Sequence, residues 1–306
     1  MKRPPRDVST SVKQRLLNKA RETGRPFNEL LQYFGMERFL YRLSRSAHAK
    51  RFVVKGAVML VAWRVPAWRP TKDIDLLGKV RNELAGITEI LKEICSVETE
   101  PDGLVFHPES VVAEPITVDA EYEGVRVELV GTLGTARVGL QVDIGFGDAV
   151  VPGSVDFEYP TILGHPAPHL RGYTRESSIA EKFHAMVRRG ELNSRMKDFF
   201  DVWALSRNYG FDGSLLASAI VETFRRRNTA IPVAPIAFTD AFAEHPDKAT
   251  QWRAFRRKGR LDAAPQDFLE VVGAVRFFLG PMAHSLGGEG VFGLRWTPPG
   301  PWGPRT

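Results

Sequence analysis

The sequence of 306 residues is long enough to bury a substantial core in one large or two medium domains. Hydrophobic residues make up 43% and charged residues 25% of the chain, as is usual for a globular protein. The single cysteine, Cys95, excludes an internal disulfide framework. No apolar stretch reaches the roughly 18 residues of a membrane helix, and no apolar segment follows the basic N-terminus as in a secretory signal. We therefore expect a soluble, cytoplasmic protein.

The net charge of +6 is distributed unevenly along the chain. Residues 1–81 contain 19 Lys/Arg and 6 Asp/Glu, residues 82–170 contain 3 and 16, and residues 171–306 contain 20 and 14. Basic surfaces attract phosphate backbones largely without regard to base sequence, so this pattern favours nucleic acid as a partner. The alternative is that the charges cancel in three dimensions on a solvated surface.

The N-terminal part of the chain predicts helices followed by a strand–turn–helix unit. Apolar residues have helical spacing over 12–46, with an interruption at "GRP". The segment "RFVVKGAVMLVAW" then predicts a strand at Phe52–Val54, a turn at Gly56 and a helix that starts at Ala57. A strand containing "DID" and a helix near 81–95 follow.

Residues 103–163 alternate with a period of two, and "VRVELVGTLGTARVGLQVDIGFG" predicts two strands that meet near Gly134. In the second strand Val138, Leu140, Val142, Ile144 and Phe146 face one way, and Asp143 faces the other way with Gln141. After Pro168 the pattern is helical, and the Pro/Gly-rich tail is expected to fray or to dock through its tryptophans. The predicted helices are 175–190, 195–209, 213–226, 247–259 and 265–280.

These patterns predict a fold of α/β (α+β) class in two parts. Residues 1–170 form an α/β lobe with a mixed sheet and a helical N-terminal extension. Residues 171–306 form an α-helical lobe with a Pro/Gly-rich tail.

The stretch "RPTKDIDLLGK", residues 69–79, places two aspartates on a strand that otherwise reads as buried. Alternate side chains on a strand share a face, so Asp73 and Asp75 point the same way while Ile74 and Leu76 point into the core. The simple explanation is an edge strand whose acids discourage pairing with another chain.

The order of these elements favours metal-dependent nucleotidyl transfer. Gly56 would let a phosphate approach backbone N–H groups at the start of a helix. Asp73 and Asp75, with Asp143 on an adjacent strand, would bring three carboxylates around one point. Like charges about 4 Å apart repel by roughly 4 kcal/mol at an effective dielectric near 20, so such a cluster needs cations. Hard oxygen ligands suit Mg²⁺, and two ions could hold the attacking and leaving oxygens.

The helical lobe contributes further candidates. Lys182 lies in "AEKFHAM" beside an apolar stripe, where its stem could simply run along the edge of the core. Asp198 and Asp201 share a helix face with Val202 and Leu205. The simple explanation for this pair is compensation of the helix dipole and a surface contact between Lys197 and Asp201.

These residues together resemble the AbiEii/MenT-type nucleotidyltransferase toxins of the DNA polymerase β-like nucleotidyltransferase superfamily. The resemblance covers roughly 50–210 and rests on Gly56 followed by "RPTKDIDL", on "AEKFHAM" and on "LNSRMKDFFD". It implies a bilobed fold and Mg²⁺-dependent transfer of NMP from an NTP, often to tRNA ends, with release of pyrophosphate. It also implies a cognate AbiEi-like antitoxin encoded alongside, in a toxin–antitoxin system of abortive-infection type.

The resemblance also implies roles for individual residues. Asp73 and Asp75 would be metal ligands, and Lys182 and Asp198 match the other essential residues of the family. The sequence departs from the family at Ala57, where many nucleotidyltransferases have serine. Backbone amides would then bind phosphate together with the nucleotide-binding candidates Lys55, Gly56, Thr71, Lys182 and Arg195.

Two basic segments with interleaved aromatic residues, "FRRRN" at 224–228 and "WRAFRRKGR" at 252–260, suit an RNA acceptor. The alternative is a solvated helix face. The candidate RNA-binding residues are Arg225, Arg226, Arg227, Arg256, Arg257 and Lys258.

Three functional interpretations remain open at the level of sequence. The first is a nucleotidyltransferase toxin acting on RNA, with the tRNA 3′ end as acceptor. The second is the same chemistry on a small acceptor, as in aminoglycoside-modifying enzymes, which would use the acidic segment 82–170. The third is a non-catalytic RNA-binding relic of the fold, against which the joint presence of the aspartates and Lys182 speaks.

Overall fold

A computed structural model describes residues 7–66, 69–116 and 124–304, and the chain divides into two compact units. Two short segments of the first half belong to the second unit, so the division is not a single boundary at residue 170. Unit 1 comprises Met1–Ala62, Thr71–Gly147 and Val155–Gly172, and unit 2 comprises Trp63–Pro70, Asp148–Ser154 and Tyr173–Thr306.

Unit 1 is built on a mixed sheet of seven strands in the order β3-β4-β5-β2-β1-β7-β6. The pairs β2–β5 and β1–β7 are parallel, and the other neighbouring pairs are antiparallel. The mixed sheet expected from the sequence is therefore confirmed. Its strands are β1 (Phe52–Lys55), β2 (Asp73–Gly78), β3 (Leu104–Ile116), β4 (Gly124–Leu133), β5 (Ala136–Phe146), β6 (Val155–Glu158) and β7 (His169–Gly172).

Helix packing covers the apolar face of the sheet. A Cβ atom on Gly35 would lie 3.2 Å from the side chain of Val138 and 3.3 Å from that of Leu140, so the second helix approaches β5 closely. This confirms the predicted apolar face of β5 and leaves Gln141 and Asp143 on the opposite face. The helices of unit 1 are α1 (Val8–Thr23), α2 (Phe27–Arg45), α3 (Val58–Ala62) and α4 (Leu84–Cys95).

Two strands of the sheet were not predicted from the sequence. β6 and β7 are four residues each, and the burial pattern of β6 shows little alternation. They form an antiparallel pair that joins the sheet through a single parallel bridge between Val54 and Gly172. A strand of four residues contains only two alternations, so it gives little periodic signal. Its position is decided by pairing with residues distant in sequence.

Unit 2 is mostly helical. The predicted helices are present, although the last one begins three residues later and ends seven residues later than the predicted 265–280, and the short helix Asp240–Glu244 was not predicted. A small three-stranded sheet in the order β10-β9-β8 accompanies them. The helices are α5 (Arg175–Arg189), α6 (Met196–Asn208), α7 (Gly213–Arg226), α8 (Asp240–Glu244), α9 (Pro246–Gly259) and α10 (Phe268–Gly287), and the strands are β8 (Phe211–Asp212), β9 (Arg295–Trp296) and β10 (Trp302–Gly303). No helix in the described part of the chain has the length and apolar character needed to cross a membrane.

The C-terminal tail docks through its tryptophans, which is the second of the two outcomes expected from the sequence. Trp296 is 2% exposed and donates from its indole N–H to the carbonyl oxygen of Ser206 over 2.7 Å. Trp302 stacks on Phe278 with 5.4 Å between ring centroids.

A buried carboxylate in α2 gives unit 1 a pH-sensitive element. Glu37 is completely buried, accepts a hydrogen bond from the backbone N–H of Ile162 over 2.7 Å and lies 3.1 Å from Nε of Arg38. Burial outweighs the nearby arginine and raises the pKa of Glu37 to about 7. The folded state therefore holds this proton more tightly than the unfolded state.

We expect the free energy of unfolding to fall as the pH rises from about 4.5 to about 7, since the folded pKa of Glu37 is raised. The free energy of unfolding should fall by roughly 3 kcal/mol over this interval, and Glu37→Gln should remove most of that change. Urea unfolding at several pH values measures it, with Glu89→Gln, an exposed site in α4, as the matched control. Equal slopes in wild type and Glu37→Gln would contradict the assignment.

Candidate functional site

The structure places Asp73 and Asp75 on one face of β2, as the alternation predicted. Ile74 and Leu76 between and after them are completely buried on the opposite face, whereas both aspartates are half-buried. β2 lies in the interior of the sheet between β1 and β5, so the edge-strand explanation of "DID" is wrong. Two carboxylates on an interior strand need another reason to be there.

Gly56 makes room for Asp75. Lys55, the last residue of β1, is the register partner of Asp75, and Gly56 follows it with a φ of +69°. A Cβ atom at this position would lie 1.9 Å from Oδ2 of Asp75. Only glycine fits, both for the backbone conformation and for the approach of the carboxylate. Thr71 lies just before β2, with its hydroxyl oxygen 3.4 Å from the backbone nitrogen of Asp73.

Asp143 lies beside Asp75 on the parallel strand β5 and shares its face. The two are register partners, and Asp73 pairs in the same way with Gln141. Asp143 is held by a residue that the sequence analysis missed. Arg126 donates from Nε and Nη2 to its two carboxylate oxygens, each over 2.9 Å, and Gln141 donates to both oxygens over 3.1 Å.

Arg126 is tied to this face by charge as well as by geometry. The hydrogen bonds to Asp143 raise the pKa of the Arg126 guanidinium, and the charges of Asp143 and Asp73 add to this effect. The hairpin centred near Gly134 could have revealed the pair, because counting back from the turn puts Arg126 opposite Asp143. We call the face of β2 and β5 that bears Asp73, Asp75 and Asp143 the carboxylate face. It therefore already carries one positively charged group, the guanidinium of Arg126.

The donor chemistry of this face suits a divalent cation, because Asp73 and Asp75 offer hard carboxylate oxygens beside a cleared position at Gly56. Within the described residues, however, no three or more His, Cys, Asp or Glu are arranged to hold a metal ion. Asp143 is engaged with Arg126 instead. The assignment of all three aspartates as ligands stays a prediction.

The other predicted site residues lie in unit 2. Lys182 on α5 is 9% exposed and sits among the fully buried Ile179, Phe183 and Met186. Its Nζ lies 3.9 Å from Oδ1 of Asp198 on α6. The stem thus runs along the core, as the simple explanation proposed, but the ammonium group ends at a carboxylate rather than in solvent.

Arg195 and the loop before α6 form a fixed arrangement around Asp198. Nε of Arg195 donates to Oδ2 of Asp198 over 2.6 Å, and Asp198 is 1% exposed. The backbone N–H of Arg195 donates to Oδ1 of the buried Asn193 over 2.8 Å. Lys248 on α9 holds the loop from the other side, with its Nζ 2.7 Å and 2.8 Å from the carbonyl oxygens of Glu191 and Asn193. Sequence spacing could not reveal this role of Lys248, since its partners are main-chain atoms.

Asp201 corrects one detail of the sequence analysis. It is completely buried, so it does not belong to a surface pair with Lys197. Arg69, in the segment 63–70 of unit 2, donates to both of its oxygens, and Lys182 contacts one of them. Both Arg69 and Asp201 lie in the quoted motifs, but their pairing across 132 residues could not be read from spacing.

The six candidate RNA-binding residues do not form one exposed set. Arg225 and Arg226 are exposed at the end of α7 and pair with Glu222 at 2.7 Å, and they lower the pKa of that carboxyl to about 2. Arg257 and Lys258 at the end of α9 are also exposed, whereas Arg256 is half-buried.

Arg227 departs from the expected basic face. Its side chain is 15% exposed and its Nη2 donates to Oδ1 of the buried Asp148 over 2.9 Å, with Glu181 at 3.5 Å. His184 accepts a contact from the same guanidinium at 3.2 Å, and burial, aided by that positive charge, lowers the pKa of His184 to about 4. Arg227 therefore holds unit 2 together from within.

Comparison with known proteins identifies a family. Residues 38–274 match the sequence model of the family described as nucleotidyl transferase AbiEii toxin, type IV toxin–antitoxin system. No match to a curated protein was found. Among solved structures, the chain resembles a Helicobacter pylori protein described as a nucleotidyltransferase, with 17% identity, a TM-score of 0.43, and coverage of 82% of this chain and 92% of that one. It also resembles JHP933 from Helicobacter pylori, with 17% identity, a TM-score of 0.42, and coverage of 82% and 89%.

Gly56→Ala should displace Asp75 while leaving the fold intact, because the new Cβ would overlap the carboxylate. A displacement of about 1 Å at a reacting centre costs on the order of 100-fold in rate. Nucleotidyl transfer should fall by that amount, measured as kcat/KM, with unchanged far-UV circular dichroism. Gly139→Ala on β5 is the control, since nothing lies within 4 Å of its added methyl group. Equal activity of the two variants would show that Asp75 needs no clearance.

Proposed function

Since the chain belongs to the AbiEii nucleotidyl transferase toxin family, we propose that it transfers NMP from an NTP to an RNA acceptor, the tRNA 3′ end. The observation that supports this most is that Asp73 and Asp75 share one face of β2, and that Gly56, which has no side chain, leaves the space that the carboxylate of Asp75 occupies. In the transfer, an acceptor hydroxyl oxygen attacks the α-phosphorus and gives its proton to solvent. The bond from the α-phosphorus to its bridging oxygen breaks, and pyrophosphate leaves.

Asp73 and Asp75 would hold Mg²⁺, and Asp143 would join them by exchanging its contact with Arg126. The side chains of Asp143 and Arg126 are 19% and 34% exposed, so the pair is partly solvated, and the exchange would replace two charge-assisted hydrogen bonds with bonds to the metal ion. Two bound ions would stabilise charge on the attacking and leaving oxygens. The protein's own part is to keep the carboxylate oxygens on one face and to keep the backbone at Gly56 open.

Lys55, Gly56 and Thr71 are proposed to bind phosphate in unit 1, and Lys182 and Arg195 in unit 2. Lys55 is proposed because it is the register partner of Asp75, and Thr71 is proposed because its hydroxyl group lies next to the start of β2. The side chains of Arg195 and Lys182 are 39% and 11% exposed, so neither cation is completely buried. Asp198 would orient Arg195 through the 2.6 Å hydrogen bond.

RNA is proposed as the acceptor because Arg225, Arg226, Arg257 and Lys258 are exposed cations on two helix ends. Arg256 and Arg227 are less suited, the first because it is half-buried and the second because it is paired internally. A small acceptor remains the second candidate on account of the acidic segment 82–170. A cognate AbiEi-like antitoxin and a cytoplasmic location complete the proposal, and both rest on the family.

The proposal is tested by incubating the protein with each α-labelled NTP, Mg²⁺ and total RNA. We expect label in RNA of tRNA size, and no label with Asp73→Asn or Asp75→Asn at unchanged or higher Tm, because repulsion between the carboxylates is relieved. Parallel reactions contain aminoglycosides instead of RNA, and Asp156→Asn, an exposed change in β6, is the control.

Label on the small acceptor alone would transfer the proposal to small-molecule modification. Full activity of both β2 variants would remove the metal assignment. Absence of transfer to either acceptor would leave the non-catalytic interpretation.

A further inference from the structure

Asp201 is the most deeply buried member of a series of linked ion pairs in unit 2. The series consists of Arg69, Asp201, Lys182, Asp198 and Arg195. It lies three residues after Asp198 on α6, and its exposed fraction is 0%. Its Oδ1 accepts from Nε of Arg69 over 2.9 Å, and its Oδ2 accepts from Nη2 of Arg69 over 3.2 Å. Its Oδ2 also lies 2.8 Å from Nζ of Lys182. One carboxylate thus binds two cations from distant parts of the chain.

The distances decide which acid controls Lys182. The ammonium group is 2.8 Å from Asp201 but 3.9 Å from Asp198, whose other oxygen is bound to Arg195 at 2.6 Å. Asp201 is therefore the hydrogen-bond partner that sets the position of Lys182. Asp198 instead makes its shorter contact with Arg195.

The charge state of Asp201 is fixed by its partners. Burial by itself raises the pKa of its carboxyl, but the charges of Arg69 and Lys182 and their hydrogen bonds outweigh burial, and the pKa is lowered. The fork of Arg69 matches both carboxylate oxygens, so the orientation of the carboxylate is fixed as well. An ionised, oriented acid at this place can hold an ammonium group in one position.

We propose that Asp201 is a positioning residue that holds Lys182 for contact with the triphosphate, while Arg69 fixes Asp201. Asp201 does not touch the nucleotide, because it has no exposed surface. The proposal rests on the proposed function in one respect, namely that Lys182 binds the NTP.

The test is a double-mutant cycle on NTP binding, measured by calorimetry with ATP, GTP, CTP and UTP in turn, with Mg²⁺ and without RNA. Asp201→Asn should raise the Kd of the best-bound NTP by at least about tenfold, because losing a hydrogen bond to a charged group changes an equilibrium constant by about that factor. Lys182→Ala should raise it similarly. In the Lys182→Ala background, Asp201→Asn should change Kd by less than about twofold, because its effect passes through Lys182.

Unit 2 offers a matched control in Asp148→Asn. Asp148 is also a buried carboxylate bound by an arginine, Arg227, at 2.9 Å. It should lower Tm about as much as Asp201→Asn and leave NTP affinity unchanged. If Asp201→Asn does not fold, Asp201→Glu keeps the charge but displaces Lys182, and should weaken NTP binding as well.

Three results with the variants would overturn the proposal: an unchanged Kd in both Asp201 variants, equal effects of Asp201→Asn with and without Lys182, or an equal loss of affinity in Asp148→Asn. A wild-type protein that binds no NTP would overturn it too. Binding without transfer to RNA would reject the proposed function alone, since the cycle is read from Kd and needs no acceptor.

Discussion

The alternation of β2 is the constraint on which the carboxylate face of unit 1 depends. Burial of Ile74 and Leu76 contributes about 1.5–3 kcal/mol each and fixes the register of the strand, because a slip of one residue would exchange its two faces. Repulsion between the like charges of Asp73 and Asp75 opposes this arrangement. The core on one side and the register with β1 and β5 on the other are sufficient to hold the two acids in place.

The acids of the two units are bound by arginine in different ways, and exposure decides what each can do. Asp143 and Arg126 are partly exposed, so water can solvate both groups when their contact opens, and we propose that Asp143 exchanges this contact for a metal ion. Asp201 is completely buried, and loss of one partner from a buried pair costs about 3–5 kcal/mol. Asp143 is therefore suited to be an exchangeable ligand, whereas Asp201 is suited to be a fixed support for Lys182.

Local patterns predicted most of the elements that carry the site. The turn at Gly56, the strand with "DID" and the apolar face of β5 follow from period and turn chemistry, which act within a few residues. Arg126 could have been found from the hairpin register. Arg69 and Asp201 could not, because a contact across 132 residues depends on the tertiary fold. Arg227 was misjudged since its neighbours Arg225 and Arg226 are exposed, and only packing shows that it turns inward.

The central claim is that the β2 carboxylates hold the metal ions of nucleotidyl transfer. Its most direct test is a Mn²⁺ titration of the protein with its best-bound NTP, followed by electron paramagnetic resonance. The account predicts two ions per wild-type complex, and for Asp73→Asn/Asp75→Asn no more than the one ion that the NTP carries. Two ions in both proteins would contradict it.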